Sequence, residues 1–318
     1  MTTDKMLVHR GLDDLQPLLN AVVTSGTFDG VHRGHQTILA RLTEVARNSN
    51  GPSVLITYWP HPRTVVSNDS QDLKLLSTLD EKIDLIQAAG VDHLVVIPFT
   101  RSFSQLTSEQ YIRQILIEKI GTRKLVIGYD HRFGRDREGG FDYIRTHQHE
   151  YGFEVEEIPR QDIDAVGISS SKIRAALKEG DIETASLFLG RPYSLTGTIV
   201  KGRQLGRTIG FPTANMQVDD PVKLIPANGV YAVDVLYGGQ VLGGMLNIGF
   251  RPTVAGTNQT IETYIFDRNP AARFDKDIYG EHLTLNFRAF LRPEQKFSGL
   301  PALVEQLKQD EAAARAVL

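Results

Sequence analysis

The spacing of apolar residues changes near residue 188, and this change constrains the fold more than any other feature of the sequence. Before it, short β-branched or aromatic runs alternate with stretches whose apolar residues recur every three or four positions. After it, apolar and polar residues alternate through one segment after another, with little helical pattern. A chain of 318 residues is also long for one domain. The sequence therefore predicts two domains, residues 1–187 and residues 188–318.

The first half predicts an α/β domain built on a doubly wound, Rossmann-like parallel sheet. Its expected strands are short β-branched or aromatic runs, and several are apolar throughout, as strands covered on both faces tend to be. They are residues 21–28, 53–59, 92–99, 123–129 and 153–159. The helices expected between them are residues 35–49, 79–90 and 107–121, the last with a capping box from Thr107 to Gln110 and a closing Gly121. Ligands of such sheets bind at the carboxyl ends of the strands, where residues 26–35 fall.

The second half predicts an antiparallel barrel or sandwich. Residues 230–237 and 241–250 flank Gly238 and Gly239, which together are a hairpin signal. Two more alternating segments follow at 261–267 and 282–290, and residues 299–318 predict a helix that packs on the sheet or trails from it. The junction with the first half is expected within residues 186–195.

Composition narrows the class of protein. The apolar fraction of 41%, the charged fraction of 23% and the net charge of −3 are ordinary for a globular protein and give no reason to expect a nucleic-acid partner. The absence of cysteine excludes disulfides, thiolate zinc sites and a cysteine nucleophile. The first residues lack the pattern of a signal peptide, and no apolar run reaches the roughly 18 residues of a membrane span. We therefore expect a cytoplasmic enzyme without a membrane partner.

The stretch "GTFDGVHRGHQTIL" (26–39) holds two histidines, His32 and His35, in a glycine-rich turn between a strand and a helix. As metal ligands they would usually need a spacing of four and a third ligand. They are also compatible with a plain structural position, with both imidazoles exposed at a helix start. A third interpretation is phosphate binding, because free backbone N–H groups and the helix dipole favour an anion and imidazoles donate hydrogen bonds to it. The stretch by itself leaves these alternatives open.

The same stretch resembles the H-x-G-H signature of nucleotidyltransferases, in the form found in bacterial FAD synthetases, which are riboflavin kinase–FMN adenylyltransferases. Two further stretches agree with this resemblance in order and spacing. "GYDHRFG" (128–134) resembles the family's nucleotide- and flavin-contacting loop, and "ISSSKIR" (168–174) resembles its second signature. Taken alone, the first of these two stretches is explained equally by a polar loop, and the second by an ordinary capped helix. Together they imply attack of the FMN phosphate on the α-phosphorus of ATP, with pyrophosphate leaving.

The resemblance implies roles for residues of the first half. His32 and His35 are expected at the transferring and leaving phosphates, and Arg174 with Ser171 at the pyrophosphate. The other residues expected to bind nucleotide or phosphate are Gly26, Phe28, Gly34, Ser170 and, on the adenylate side, Asp130. "WPHPR" (59–63) resembles another family stretch that borders the flavin, although a proline-stiffened turn explains it equally well. The flavin-binding residues expected in this half are His61, Arg63 and Phe133.

A second group of polar residues lies in "GTIVKGRQLGRTIGFPTANM" (197–216), where a strand is followed by glycines among basic residues. This pattern is consistent with a flexible flap over phosphates. Thr213 and Asn215 are two apart, so on an extended segment they face the same way. Their oxygens are hard ligands suited to Mg²⁺ held jointly with phosphates. A polar loop without a ligand remains the alternative.

Within this stretch, "GRTIGFPTAN" (206–215) resembles the riboflavin kinase signature, and "NIGFRPT" (247–253) resembles a second kinase stretch. The resemblance implies an antiparallel barrel with a terminal helix, and it places Glu262 as the base that accepts the proton of the riboflavin 5′-hydroxyl. A glutamate on the wet face of a strand is the alternative. The remaining implied residues are Lys201, Gly202 and Gly206 at the nucleotide, Phe211 and Pro212 at the flavin, and Thr213 and Asn215 at Mg²⁺.

The sequence departs from the family pattern at four places. Ser171 replaces a more usual threonine, His131 replaces phenylalanine, Tyr264 replaces histidine, and residues 254–260 lack a glycine pair. All the chemical groups that the resemblance requires are nevertheless present. The sequence therefore predicts a bifunctional enzyme that converts riboflavin to FMN and FMN to FAD with MgATP. The rival hypotheses are an enzyme that retains one of the two activities and a flavin-binding regulator without turnover.

Overall fold

The computed structural model divides the chain into two compact units, one ending at Ser170 and the other running from Ser171 to Leu318. It describes residues 5–67, 72–128, 131–135, 138–159, 167–202, 204–253, 256–269, 272 and 274–318, with the backbone alone for residues 251–253 and 256–258. Each unit is considered by itself below.

The first unit is built on a six-stranded sheet with the order β1-β4-β3-β2-β5-β6. Every neighbouring pair of strands is parallel. The strands are β1 (Leu7–Arg10), β2 (Ala21–Ser25), β3 (Ser53–Trp59), β4 (His93–Pro98), β5 (Thr122–Gly128) and β6 (Glu154–Ile158). The predicted parallel α/β domain is confirmed.

Helices connect these strands, as parallel crossovers require. They are α1 (Arg33–Asn48), α2 (Pro62–Val66), α3 (Leu79–Ala88), α4 (Ser108–Gln110) and α5 (Phe141–Tyr151). Helix α4 opens with the predicted Thr107 capping box and continues directly as a π-helix, Tyr111–Ile120, which ends on Gly121 at φ 77°. The sequence predicts where this helical segment begins and ends, but it does not predict the change from α-helix to π-helix within it.

The central strands of the sheet are covered by apolar side chains on both faces, which explains why β2, β3 and β4 read as apolar runs. In β2, Val23 packs into one core with residues of the π-helix and α5, such as Ile112 and Ile144. The next residue back, Val22, packs into the other core with Leu39 of α1. Successive residues of a strand point to opposite faces, so a strand covered on both sides has no wet position.

Strand β2 ends at Ser25, three residues before the predicted end. Phe28, the last residue of the predicted strand, adopts φ 46°, a left-handed conformation outside the range of β-strands. The four-residue edge strand β1 was not predicted. Its pattern of exposure gives no apolar alternation, since Leu7 and Val8 are both exposed.

The second unit contains a closed antiparallel barrel with the strand order β10-β11-β8-β7-β12-β9. Its strands are β7 (Ser194–Val200), β8 (Thr213–Val218), β9 (Gly229–Tyr237), β10 (Gln240–Thr253), β11 (Gly256–Phe266) and β12 (His282–Arg292). Gly238 and Gly239 connect β9 to β10 with φ 56° and 76°, the signs that a two-residue hairpin turn of type I′ needs. The structure therefore decides between barrel and sandwich in favour of the barrel.

Helices α6 (Ser170–Glu179), α7 (Ile182–Leu189), α8 (Leu205–Thr208) and α9 (Leu300–Val317) complete the chain. Helix α6 is tied to the barrel unit by the N–H of Ala227, which donates to the carbonyl oxygen of Leu177 at 2.9 Å. Helix α9 is the predicted terminal helix. Its Ala314 packs in one apolar cluster with Met245 and Phe266 of the barrel strands.

A buried ion pair fixes α9 against β12. The guanidinium of Arg292 donates two hydrogen bonds to the carboxylate of Asp310, at 2.8 and 2.7 Å. Gln306 donates a third at 2.9 Å. The carboxylate is buried, so its charge is compensated by these donors rather than by water.

We predict that Asp310→Asn lowers the free energy of unfolding of the barrel by about 2 kcal/mol, because the neutral amide has one acceptor oxygen and leaves the guanidinium of Arg292 without its counter-charge and its second acceptor. Denaturant unfolding measures this loss. The matched control is Glu311→Gln, whose carboxylate pairs with Arg315 one residue further along the same helix and is partly solvated. Equal losses in the two variants would contradict the prediction.

Candidate active sites

The turn after β2 places His32 and His35 side by side at the start of α1. His32 is the N-cap residue, and its Nδ1 accepts a hydrogen bond from the backbone N–H of His35 at 3.4 Å. The two rings stack with their centroids 3.6 Å apart, and the ring of Phe28 packs on His35 at 4.7 Å. The first N–H groups of a 16-residue helix therefore lie beside two imidazoles, an arrangement that attracts an anion.

The electrostatics of the pair favour a neutral His35 before a ligand arrives. Burial lowers the pKa of His35 well below its ordinary value, and the positive charges of His32 and Lys82 lower it further. Its Nδ1 is buried and, among the described residues, has no hydrogen-bond partner. Buried polar atoms without partners are rare in folded proteins. A bound phosphate oxygen would supply both a partner and a charge that raises this pKa.

Glycines allow the turn to be this tight. A Cβ on Gly26 would lie 3.0 Å from the ring of Phe28, and Gly34 is buried in the first turn of α1. Two residues that are not glycine also have positive φ, Phe28 at 46° and Val31 at 39°. The turn therefore has a backbone that its own sequence does not favour and that other contacts must hold.

The second stretch, "WPHPR", follows β3. His61 is buried and is the N-cap of α2, with its Nδ1 accepting from the N–H of Arg63 at 3.2 Å. Arg63 itself is exposed. The two predicted flavin-binding residues thus differ: the imidazole is built into the loop, and the guanidinium is accessible.

The third stretch, "GYDHRFG", contributes to a cluster of aromatic and hydroxyl side chains at the ends of β2, β3 and β5. Its Asp130 lies outside the described residues. His131 is placed with its Nε2 2.9 Å from the Oγ of Ser25. Phe133 is buried against Tyr111, whose hydroxyl lies 2.9 Å from that of Tyr58. Burial raises the pKa of both tyrosines, so they remain neutral donors.

The fourth stretch, "ISSSKIR", begins α6. The Oγ of Ser170 donates to the carbonyl oxygen of Asp29 at 3.0 Å, which links this residue to the histidine turn. Ser171 and Arg174 follow in the second unit, where Ser171 is exposed and Arg174 is buried. Of Ser170, Ser171 and Arg174, Ser170 is the residue that the structure places in contact with the histidine turn.

In the barrel, the predicted kinase residues share one face of two neighbouring strands. Glu262 of β11 is paired with Asn215 of β8, and Tyr264 is paired with Thr213. The Oγ1 of Thr213 donates to Oε2 of Glu262 at 3.4 Å. A hydroxyl, an amide and a carboxylate are therefore assembled, half-buried, from residues 49 positions apart.

The glycine-rich stretch packs against this group. A Cβ on Gly202 would lie 2.3 Å from Nδ2 of Asn215, and one on Gly206 would lie 2.1 Å from the carbonyl oxygen of Phe211. Phe211 is buried edge-on to Tyr264, whereas Pro212 is exposed. The ammonium of Lys201 lies 6.0 Å from the ring centroid of Tyr279.

Comparison with known proteins agrees with this arrangement. Residues 15–172 match the FAD synthetase family, and residues 189–318 match the riboflavin kinase family. A protein of Escherichia coli K12 named bifunctional riboflavin kinase/FMN adenylyltransferase is 38% identical, over 98% of this chain and 97% of its own. A protein of the same name from Bacillus subtilis is 33% identical, over 92% and 91%. This chain belongs to the bifunctional riboflavin kinase/FMN adenylyltransferase family.

A solved structure shares the whole fold. It is a crystal structure from Streptococcus pneumoniae described as a macrolide-efflux protein, with a TM-score of 0.86 and 30% identity over 98% of this chain and 99% of that one. In the part of the chain that the structure describes, no helix is long and apolar enough to cross a membrane. The predicted family membership is confirmed along nearly the full length of the chain.

Sequence reasoning missed the residues that hold the histidine turn of this family member. The carboxylate of Asp29 is buried and accepts from the N–H groups of Leu76 and Ser77, at 3.0 and 3.2 Å. The Oγ of Ser77 in turn accepts from the N–H of Gly30 at 3.1 Å. These contacts span about 47 residues, so no local pattern reveals them.

Lys82 is the other residue that was missed. It lies on α3 and is 1% exposed, and its Nζ donates to the carbonyl oxygen of Thr27 at 2.8 Å. The same ammonium lies 5.4 Å from the ring centroid of Trp59. A signal did exist: Lys82 stands four positions before Ile86 on the buried face of α3, where the apolar pattern calls for a leucine or isoleucine.

We predict that the emission of Trp59, the single tryptophan, titrates with a midpoint near pH 8. Burial lowers the pKa of Lys82 to about 8, against the opposing charge of Asp29. The ammonium is therefore charged below this pH and neutral above it, and a cation close to the indole perturbs its emission.

Fluorescence between pH 6.5 and 9.5 measures this titration. Lys82→Met should abolish the step, and Lys119→Met, which removes an exposed lysine of the same unit, should preserve it. A step that survives in Lys82→Met would assign the titration to another group.

Proposed function

We propose that the chain phosphorylates riboflavin to FMN and then transfers AMP from ATP to FMN, giving FAD and pyrophosphate. The observation that carries this proposal is the presence in one chain of two separate chemical groupings. One is the stacked imidazole pair at the start of α1. The other is the hydroxyl, amide and carboxylate group on β8 and β11. We assign adenylyl transfer to residues 1–187 and the kinase reaction to residues 188–318.

In adenylyl transfer, an oxygen of the FMN phosphate attacks the α-phosphorus of ATP. The bond from that phosphorus to the bridging oxygen breaks, and pyrophosphate leaves with the electron pair. The attacking oxygen is already ionised, so the step needs positioning and charge stabilisation rather than a base. We assign His32 and His35 to the transferring and leaving phosphates, with Gly26, Phe28 and Gly34 shaping the turn around them.

The leaving pyrophosphate needs further donors. We assign it to Arg174 and Ser171, with Ser170 at the start of the same helix. Arginine suits this role because its planar fork of donors matches phosphate oxygens bidentately. Asp130 is proposed on the adenylate side. His61, Arg63 and Phe133 are proposed at the flavin of this half, where Arg63 is accessible to a phosphate.

In the kinase reaction, the 5′-hydroxyl oxygen of riboflavin attacks the γ-phosphorus of ATP, and ADP leaves. Glu262 accepts the hydroxyl proton. The support is its position beside Thr213, within 3.4 Å, on a face that is neither fully buried nor fully solvated. We assign Lys201, Gly202 and Gly206 to the nucleotide and Phe211 and Pro212 to the flavin.

The donor set fits Mg²⁺ that arrives with ATP. Thr213 and Asn215 offer a hydroxyl and an amide oxygen on one face of β8, and magnesium prefers such oxygen ligands together with phosphate oxygens. The packing of Gly202 against the amide of Asn215 holds that side chain in place. When bound, the ion neutralises charge on the phosphates.

The test uses the purified full chain with riboflavin, ATP and Mg²⁺, followed by separation of the flavins over time. FMN that appears and then converts to FAD supports both assignments. We propose the cytoplasm as the compartment, because ATP is abundant there. FMN alone would remove the adenylyl-transfer assignment. Bound flavin without any product would favour the regulator.

We predict that His32→Ala lowers FAD formation from supplied FMN by about 100- to 1,000-fold, the usual effect of losing one donor to a developing charge. Phosphorylation of riboflavin should persist, because its groups lie in the barrel. Chromatography of both products measures the two rates in one sample.

His32 also caps α1, so its removal has a structural effect that must be separated from its effect on the reaction. Asparagine is a good N-cap but offers no imidazole. His32→Asn should therefore keep the stability and lose FAD formation, whereas His149→Ala, which removes an exposed histidine of α5, should change neither. Parallel loss of both activities in His32→Asn would refute the separation of the two sites.

We predict that Glu262→Gln lowers riboflavin phosphorylation by about 100- to 10,000-fold, the contribution of a general base. Supplied FMN should still become FAD at the normal rate. The amide keeps the shape and the contact with Thr213, so the loss reports on the proton. Glu281→Gln, an exposed carboxylate of the same unit, is the control. Normal phosphorylation in Glu262→Gln would eliminate the proposed base.

A further inference from the structure

Lys82 places a buried positive charge behind the histidine turn. Its side chain is 1% exposed, and among the described residues its hydrogen bonding is limited to the one bond that it donates to Thr27. Burying an ammonium with so few partners is costly, and a hydrophobic residue would fill the same position without that cost. The presence of a charged residue at this buried position therefore indicates a role beyond packing.

One role follows from the backbone of the turn. Phe28 and Val31 have positive φ, and for a β-branched residue such as Val31 this conformation is a genuine outlier. Such residues persist only where the surroundings impose the conformation. The carbonyl oxygen of Thr27, next to Phe28, accepts both from Lys82 at 2.8 Å and from the hydroxyl of Thr57 at 3.2 Å. Lys82 therefore holds the first peptide of the strained segment.

A second role follows from the charge. The charged and titratable groups that act on His35 are His32 within the turn and Lys82 on α3, while Asp29 acts on Lys82. Asp29 already accepts from the backbone N–H groups of Leu76 and Ser77, so its charge is spread over those bonds. The positive charge of Lys82 acts on the imidazole of His35.

We propose that Lys82 is a positioning residue for adenylyl transfer: its ammonium fixes the turn through Thr27 and adds a positive charge next to the pair formed by His32 and His35. This inference rests on the proposed function, since it concerns the same site. It goes beyond that function by assigning a buried residue of α3, 50 positions from His32, to the binding of the transferring phosphates.

The experiment compares three full-length variants with the wild type. Lys82→Met keeps most of the volume and removes the charge, Lys82→Arg keeps the charge, and Lys119→Met removes an exposed lysine elsewhere in the first unit. For each, FMN adenylylation is followed from pH 5 to 9 and separated into kcat and KM. Riboflavin phosphorylation in the same samples reports on the barrel, and far-UV circular dichroism during denaturant unfolding reports on folding.

We expect Lys82→Met to lower kcat/KM for FMN adenylylation by about 100-fold, the size of effect that misplacement of reacting groups produces. The acid limb of its pH profile should move to higher pH, because loss of a neighbouring positive charge raises the pKa of His35. Lys82→Arg should recover to within about tenfold of wild type with the limb unmoved. Lys119→Met should match the wild type.

The outcomes separate this inference from the proposed function. A wild type that makes no FAD removes the function and the inference together. A wild type that makes FAD, with Lys82→Met equally active, overturns the inference alone. Loss of activity in Lys82→Met with an unmoved acid limb and no recovery in Lys82→Arg would make Lys82 a packing residue, and this also overturns the inference.

Discussion

The first site depends on a backbone conformation that its own residues resist. Between Ser25 and Arg33 the chain must leave a parallel sheet and enter a helix within seven residues, and it does so with positive φ at Phe28, Gly30 and Val31. Hydrogen bonds from distant segments impose this path, at Asp29 through Leu76 and Ser77 and at Thr27 through Lys82. Because the turn is held, the rings of His32 and His35 stack and point from a fixed helix terminus.

The sequence predicts the elements whose side chains repeat regularly and misses those that depend on distant partners. Residues of β2 to β5 read as strands because both faces are buried, and the Gly238–Gly239 hairpin is readable because only glycine adopts two positive φ angles freely. The end of β2 at Ser25 is not readable, since its cause is a clamp from residues about 50 positions away. The π-winding of Tyr111–Ile120 is also not readable, because its pattern of apolar residues suits an α-helix nearly as well.

The same distinction applies to the sites. Motifs place His32, His35, Thr213 and Asn215 because the chemistry needs those groups within a few residues of one another, on one turn or one strand face. The pairing of Glu262 with Asn215 required the register of β8 and β11, which depends on closure of the whole barrel. Lys82 was missed for a different reason: it stands on the apolar face of α3, but a lysine in such a position normally extends its ammonium to water. Its burial is decided by Trp59 and Thr27, which lie on other segments.

The two proposed reactions need different kinds of groups because their nucleophiles differ in charge. Riboflavin presents a neutral hydroxyl, so its phosphorylation needs an acceptor for a proton, and we propose the half-buried carboxylate of Glu262 for that role. The phosphate of FMN is already an anion that must approach another anion, so a nearby free carboxylate would oppose the reaction. The first unit has a carboxylate in its turn, Asp29, but backbone N–H groups of Leu76 and Ser77 engage it. The groups at the start of α1 are hydrogen-bond donors and one cation: the N–H groups of a helix terminus, two imidazoles and the ammonium of Lys82 behind them. The opposite charge requirements of the two steps explain why one chain keeps two separate sites for one nucleotide.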